Sequence, residues 1–428
     1  MHPIRANARI LTAALTGTAV EFYDFYVYAT AAALVFGPLF FPAESQAAQT
    51  MFAFMSFGLA FFARPVGAVV FGHYGDRIGR KSTLVASLML MGLSTLLIAF
   101  LPTYAMVGWV APLLLCILRF GQGFGLGGEW GGASLLAVEY APKGWESRFG
   151  SAPQFGAPVG FLFANGLYLL LGLVLSDADF KAWGWRIPFL ASALLVALGL
   201  WVRLRIAETP AFREALQKEA PPAVPVAVLF SRHLGAVLAG TAGAVACFAI
   251  FYLSTAYALS LGTTKLGYSR EAFLGVQLGA NCFFAAGIAV AVIRADRIGA
   301  GRVLLLGALA TILMGLVFGA GLQSGSLWIV FATLSAALFT MGLVYGPLGS
   351  WLPSLLPVTV RYSGISLAFN LGGIIGGALA PIAAQALAAR GLANGAGWFM
   401  SAAGALTLIG VIWARKYQAA TAGSSAAG

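Results

Sequence analysis

A chain of 428 residues that is 60% hydrophobic and 9% charged is not a soluble domain, in which charged residues reach about 25%. It reads as a polytopic membrane protein. The formal net charge of +11 would fit a nucleic-acid partner, but most basic residues sit in short loops between apolar stretches, where they act as orientation signals.

Apolar stretches of about 20 residues mark spans of a bilayer. In chain order they are 12–37, 50–73, 82–101, 107–138, 149–175, 185–205, 233–260, 272–293, 303–322, 326–353, 363–389 and 396–414. The fold class is therefore an all-α membrane protein with twelve transmembrane helices. The fourth and tenth spans are longer than needed and should tilt or bend. The first is not a cleavable signal, because after Arg5 and Arg9 the apolar run contains acids and lacks a small-residue cleavage site. With the N-terminus placed inside, 18 of the 25 Lys and Arg fall on the inner side and 5 on the outer, leaving Arg64 and Arg119 within spans. Both termini are expected on the cytoplasmic side.

The longest inner loop follows the sixth span. Thr209 before Pro210 reads as a helix start, and Pro221-Pro222 ends the segment. A short amphipathic helix is expected there, dividing the chain into an N-terminal six-helix bundle (1–205), a linker (206–231) and a C-terminal bundle (232–428). The halves echo each other: Asp76-Arg77-Ile78-Gly79 recurs as Asp296-Arg297-Ile298-Gly299, and Pro142, Arg148 and Gly150 are matched by Pro357, Arg361 and Gly364. Two such repeats with a site between them are a common transporter plan.

The first span carries Glu21, Asp24 and Tyr28, spaced i, i+3, i+7 on one helix face. A charge at the centre of a membrane helix costs about 2.5–3.5 kcal/mol on insertion scales, so these acids need a cavity or a partner. Counting about 1.5 Å per residue puts Asp24, Arg64 and Arg119 near the midplane and Glu21 one turn closer to the cytoplasm. Two acids and two arginines at one depth can neutralise one another and bind a charged solute, since an arginine fork matches a carboxylate. If Arg64 or Arg119 pairs with Asp24 or Glu21 in the empty protein, a substrate carboxylate that takes over the arginine frees the acid to accept a proton. Substrate and proton then travel together. Asp24 and Glu21 are the proton-coupling candidates. Arg64, Arg119, Tyr28 and Gln122 are the substrate-binding candidates of the N-terminal half.

Glu129 lies about ten residues beyond Arg119, some 15 Å deeper on a straight helix and on another face, and reads as a gate or packing acid. The surrounding Gly121, Gly123, Gly125, Gly127, Gly128, Gly131 and Gly132 have no preceding strand, so close helix packing outweighs a nucleotide loop. Arg186 opens the sixth span as an anchor or as an arginine at the mouth of the substrate path. The C-terminal half has no evident charge within its spans. Its polar candidates are Tyr252, Ser254, Thr255, Tyr257, Gln277, Asn281, Tyr345 and Asn370, of which Tyr257, Gln277, Asn281 and Asn370 are the preferred completers of the site. Cys116, Cys247 and Cys282 all fall in spans, and His2, His73 and His233 are scattered. Neither a disulfide framework nor a metal site is indicated. Without a phosphate-binding Gly-x-x-x-x-Gly-Lys-Ser/Thr motif or a catalytic triad pattern, we expect neither ATP coupling nor an enzyme, and no cofactor beyond the proton as coupling ion.

The loop Gly72, Asp76, Arg77, Gly79, Arg80, Lys81 after the second of twelve spans resembles the signature of the major facilitator superfamily. Glu21-Phe-Tyr-Asp24-Phe, Arg64-Pro65-Val-Gly67, Arg119-Phe-Gly-Gln122-Gly, Gly127-Gly128-Glu129-Trp-Gly131, Gly184-Trp185-Arg186-Ile-Pro188 and Glu208-Thr209-Pro210 are similar to the metabolite:proton symporter family within it. The resemblance spans the chain and is denser in the N-terminal half. The second half departs from it at Ala300, where a basic residue is usual, and at Ser354, where an acid is usual. The resemblance implies two pseudo-symmetric bundles and proton-coupled carriage of Krebs-cycle acids, shikimate, proline or betaine. It also implies that Asp76 meets the C-terminal half in the outward-open state and that Arg80 meets an acid such as Glu139. The expected function is proton-coupled uptake of a small organic anion, a mono- or dicarboxylate, across the inner membrane. The alternatives are symport of a zwitterionic osmolyte and efflux antiport of drugs or metabolites. The expected partners are a carboxylate-bearing solute and the lipid bilayer, with no nucleic acid and no obligate protein partner.

Overall fold

The computed structural model describes residues 3–78, 80–204, 225–357, 360–392 and 394–426, and within these it describes side chains except in 72–84, at 136, and in 202–204, 225–226 and 419–426. Among the described residues, eleven helices are long and apolar enough to cross a membrane: α1 (Ala8–Phe40), α2 (Gln46–Phe71), α4 (Val110–Glu139), α5 (Glu146–Val174), α6 (Gly184–Trp201), α7 (Leu234–Thr264), α8 (Arg270–Ile298), α9 (Ala300–Leu322), α10 (Leu327–Leu355), α11 (Arg361–Ala389) and α12 (Gly395–Gln418). The twelfth, α3 (Arg80–Ile98), has a shorter apolar stretch. Each of the twelve expected spans has its helix. The side chains of Gly72, Asp76, Arg77 and Arg80, the whole of Gly79 and the expected amphipathic helix after Thr209 lie outside the described residues.

Helix pairing repeats with an offset of six. In the first half α1 packs on α5, α2 on α4 and α3 on α6; in the second α7 packs on α11, α8 on α10 and α9 on α12. Between the halves α2 meets α11 and α5 meets α8, and the same operation relates these two contacts. Two pseudo-symmetric six-helix bundles facing one another follow directly.

The tightest crossings rest on glycine. A Cβ at Gly67 would overlap the Phe124 carbonyl, and one at Gly127 would overlap the Arg64 carbonyl, so α2 and α4 touch backbone to backbone. Gly287 and Gly342 bring α8 and α10 equally close in the second half. Lipid tails are as apolar as leucine, so intimate backbone contact is what holds membrane helices together. The glycine-rich stretch of α4 is thus a packing surface.

The two long spans are both interrupted. Helix α4 runs as Val110–Leu126 and restarts as Glu129–Glu139 after Gly127 and Gly128. Helix α10 runs to Tyr345, and short turns at Leu348–Trp351 and Leu352–Leu355 complete it. Among the described residues three helices carry a single π turn: α1 at Ala32–Phe36, α7 at Leu253–Tyr257 and α11 at Ile374–Ala378. Such turns often mark functional positions.

Candidate substrate and proton site between the bundles

The four expected charges are all buried: Glu21 4%, Asp24 0%, Arg64 3% and Arg119 0% exposed. They do not form one cluster of ion pairs. The Asp24 Oδ1 accepts from the Ser192 hydroxyl of α6 (2.5 Å), and its Oδ2 has no hydrogen-bond partner. The Asp24 main-chain carbonyl accepts from Gln122 Nε2 (3.1 Å). The expected pairing of Asp24 with an arginine is therefore not the arrangement found: the side chain faces the hydroxyl of α6.

Arg119 is fully engaged by other groups. Its Nε and one terminal nitrogen both donate to the Phe57 carbonyl (3.3 Å each), and the other terminal nitrogen donates to Gln122 Oε1. The guanidinium lies against the Phe25 and Tyr28 rings, both 4.1 Å from centroid to Cζ, with Phe57 at 4.9 Å. Gln122 ties this to α3 by donating to Thr95 Oγ1 (2.8 Å). Tyr28 is closed off by Ser56 (2.8 Å between oxygens). Carbonyls and ring faces take the place of a carboxylate around this cation.

Arg64 stands differently. Its guanidinium lies 5.5 Å from the Phe25 ring and 5.6 Å from the Phe61 ring, and its Nε has no partner. Glu21 is the acid whose charge bears on it, and Tyr252, Tyr345 and Tyr26 are its other electrostatic neighbours. These three tyrosines line a cavity of only about 10 Å³ between the bundles, together with Phe22, Phe251 and Phe369. Aromatic rings from both halves fill the space around it: Tyr26 meets Phe251 (centroids 4.8 Å) and Phe25, Phe57 and Phe61 surround Tyr252 (6.1, 5.1 and 5.4 Å).

The halves touch at both ends of this cavity. At one end Asp296 of α8 accepts from the main-chain nitrogens of Ser147 (2.8 Å) and Arg148 (3.4 Å) and pairs with the Arg148 side chain (3.3 Å). Ser147 also bonds Ser350 (2.9 Å). Nearby, Tyr362 of α11 donates to the Gly128 carbonyl, Asn370 Nδ2 to the Gly127 carbonyl (2.7 Å), and Trp130 stacks on Phe369 (3.7 Å, 6°). At the other end Arg270 pairs with Asp177 (3.2 Å) and Glu271 (2.7 Å) and covers the Phe180 ring (3.8 Å). Among the described residues the two halves are thus in contact on both sides of the cavity.

The other expected residues divide by place. Tyr257 is buried in the π turn of α7. Gln277 donates to the Ser254 (3.0 Å) and Thr255 (2.8 Å) carbonyls and so braces that turn. Asn281 and Asn370 both bridge the halves, Asn281 Nδ2 by donating to the Pro158 carbonyl (2.9 Å). Glu129 accepts from Ser87 (2.6 Å), and its charge bears on Asp24. Ser87 lies eight residues along α3 from Thr95, which Gln122 meets in the central group, so Glu129 sits at its own level, as its place in α4 leads one to expect. Glu139 is exposed and bears on Arg361 of α11. Arg186 donates to the Ala182 (2.8 Å) and Leu101 (2.9 Å) carbonyls, an anchoring arrangement away from the cavity. Sequence reading missed Ser192, Thr95, Ser56 and Trp130. Their residue types are ordinary in membrane helices, and only their partners reveal them.

Comparison with known proteins agrees with this plan. A family model described as "Sugar (and other) transporter" matches residues 10–224. The inner membrane metabolite transport protein YhjE of Escherichia coli (strain K12) is 44% identical over 96% of this chain and 94% of its own. The shikimate transporter of the same organism is 39% identical over 89% of this chain and 87% of its own. The crystal structure of a D-xylose-proton symporter superposes with a TM-score of 0.72 at 18% identity, covering 96% of this chain and 97% of that one. With helices that pair in two pseudo-symmetric bundles around a polar centre, and with transporters rather than enzymes as relatives, this chain belongs to the sugar and metabolite transporter family of the major facilitator superfamily.

Proposed function

We propose that this transporter is a proton-coupled symporter of a small organic anion working by alternating access in the inner membrane, with both termini cytoplasmic. The observation that carries the reading is a pair of buried charges with open valences: Arg64, with an unpartnered Nε and the cavity tyrosines as electrostatic neighbours, and Asp24, inside the N-terminal bundle, with an unpartnered Oδ2. The anion takes Arg64, whose acidic neighbour Glu21 is thereby released from it. Asp24 holds the transported proton at Oδ2 while Ser192 fixes its other oxygen. Gln122, bonded to the Asp24 carbonyl, to Thr95 and to Arg119, links the proton site to the wall of the substrate site. Support also comes from the relatives, among them a shikimate transporter and, at 30% identity over 88% of this chain, the proline/betaine transporter of Salmonella typhimurium. No cofactor enters this scheme; the proton is the coupling ion.

The test is uptake into proteoliposomes with an alkaline interior, using labelled acids too polar to cross lipid unaided. Accumulation that collapses with an uncoupler, is lost in Arg64→Ala, and in Asp24→Asn gives way to exchange without accumulation is the expected result. Asp24→Asn that binds less substrate yet accumulates normally per bound substrate overturns the proton assignment. Export of hydrophobic cations with no acid uptake replaces symport by antiport.

A further inference from the structure

We infer that a second cavity, at the Asp296 end, binds a phosphate-bearing anion that bridges the two halves there. The cavity measures about 660 Å³ and shares no lining residue with the central one. Its volume falls within the range of small-ligand sites, about 300–1,000 Å³. Ser147 of α5 lines it from the N-terminal half, and Gly301 of α9, Trp351 of α10 and Arg415 of α12 line it from the C-terminal half.

Three kinds of donor meet at this wall. The first is the head of α9, which lines the cavity at Gly299, Ala300 and Gly301. Gly299 caps the helix without a side-chain hydrogen bond, and the first helical bond runs from the Val303 nitrogen to the Gly299 carbonyl (3.3 Å). The amides of Ala300, Gly301 and Arg302 therefore lack a helical acceptor, and such an end attracts anions. The second is the Trp351 indole. Trp351 is 1% exposed and its Nε1 has no hydrogen-bond partner. A Cβ at Gly301 would lie 3.4 Å from that nitrogen, so the unmade N–H stands at the first turn of α9. A buried donor without an acceptor is costly, and an anion oxygen supplies one. The third is the pair of exposed arginines, Arg302 and Arg415. Arg302 places one terminal nitrogen 3.5 Å from the Ile298 carbonyl and has further donors to give.

Two acids share the wall. Asp296 is already held by Arg148 and two main-chain amides. Glu146 stands against two arginines, which leaves one positive charge in excess. The two positions where the second half departs from the family pattern, Ala300 and Ser354, both line this cavity. A methyl group at 300 leaves room at the head of α9. A hydroxyl at 354 leaves the arginines without an acid at that position, and it accepts from Gln418 Nε2 instead (2.8 Å). Amides, an indole and guanidinium groups approaching from several helices suit the oxygens of a tetrahedral anion better than the two of a planar carboxylate. The phosphate belongs either to a soluble ester or to a lipid headgroup, and the remaining volume takes the body attached to it. Because α5 forms one wall, the occupied site favours the state closed at this end.

The test uses the delipidated full chain in maltoside micelles, which contain no phosphate. Inorganic phosphate and glycerol 3-phosphate are titrated at constant ionic strength against chloride, and phosphatidylglycerol is added in a separate series. Melting temperature and hydrogen exchange are read in each. A saturable rise in melting temperature is expected, with slower exchange around 146–151 and 295–302. The double variant Arg302→Gln, Arg415→Gln should bind at least about tenfold more weakly and, since both side chains are exposed, melt as wild type without anion. Trp351→Phe should weaken binding about fivefold. A response to the soluble phosphates that the double variant loses supports the site and makes its ligand a free ester; one confined to phosphatidylglycerol and lost likewise supports it as a headgroup site. No response to any of the three overturns the inference, as does a response that chloride reproduces or that the double variant retains in full. Slower exchange at 295–302 alone overturns the bridge between the halves.

Discussion

Arg64 and Arg119 are the same residue type at the same depth, and their surroundings separate them. Arg119 satisfies three donors within the N-terminal bundle and lies on two ring faces; Arg64 keeps its Nε without a partner beside the Phe25 and Phe61 rings. A lysine cannot reproduce a planar fork between two rings. Arg119→Lys should therefore destabilise the fold by about 2–4 kcal/mol through lost ring contact and charged hydrogen bonds, read as a clear fall in melting temperature in detergent. Arg64→Lys should melt near wild type and lose substrate affinity. An Arg119→Lys protein that melts normally and fails only to bind substrate would return Arg119 to the substrate site.

The helices gain their shape from a few residues whose job is geometric. Gly67 and Gly342 sit where backbones touch, and a Cβ at either meets main-chain atoms that cannot step aside. Gly67→Ala and Gly342→Ala should each cost about 1–3 kcal/mol, measurable by thermal unfolding in detergent. A loss below a few tenths at both sites would mean that the crossings yield easily. Gly299, with φ at +95°, lets the chain turn directly from α8 into α9, which accounts for the glycine in Asp296-Arg297-Ile298-Gly299. The π turn of α7 depends on Gln277, whose amide donates to two of its carbonyls. Gln277→Leu leaves both without that donor, at about 1–3 kcal/mol, and should speed hydrogen exchange locally at Leu253–Tyr257. Exchange unchanged there would show that the turn holds without its brace.

At the scale of the molecule, alternating access requires that the contacts at the two ends compete. The Asp296 end is held by an ion pair with one partner almost fully buried and by two main-chain donors. The Arg270 end relies on one arginine shared between two acids, one of them well exposed. Asp296→Asn should favour the state open at its own end by about 1–2 kcal/mol, roughly a 5–30-fold population shift, seen as faster hydrogen exchange around 146–151 and 295–300. Arg270→Ala should act in the opposite sense, exposing the ends of α5 and α8 on the other side. Identical exchange patterns in both variants would rule out a two-gate balance.

Hydrophobic runs, Arg-Lys bias and the echo of Asp-Arg-Ile-Gly are local properties of the chain, and they suffice for twelve spans in two halves; the family comes from the likeness of the quoted motifs. Lipid leaves a backbone little choice but a helix, so length and composition carry that much. The spacing of Glu21, Asp24 and Tyr28 likewise reveals a polar helix face before any folding. What each charge does is a different matter. Arg119 is taken by the Phe57 carbonyl from a neighbouring helix, Asp24 by a serine 168 residues away, and Glu129 by the Ser87 hydroxyl of α3. Side chains find partners in space, across crossings set by glycine contact and bundle docking, and a buried polar group takes whichever donor or acceptor the packing presents. Only the tertiary structure decides which arginine keeps an unpartnered nitrogen and which is enclosed by carbonyls and rings.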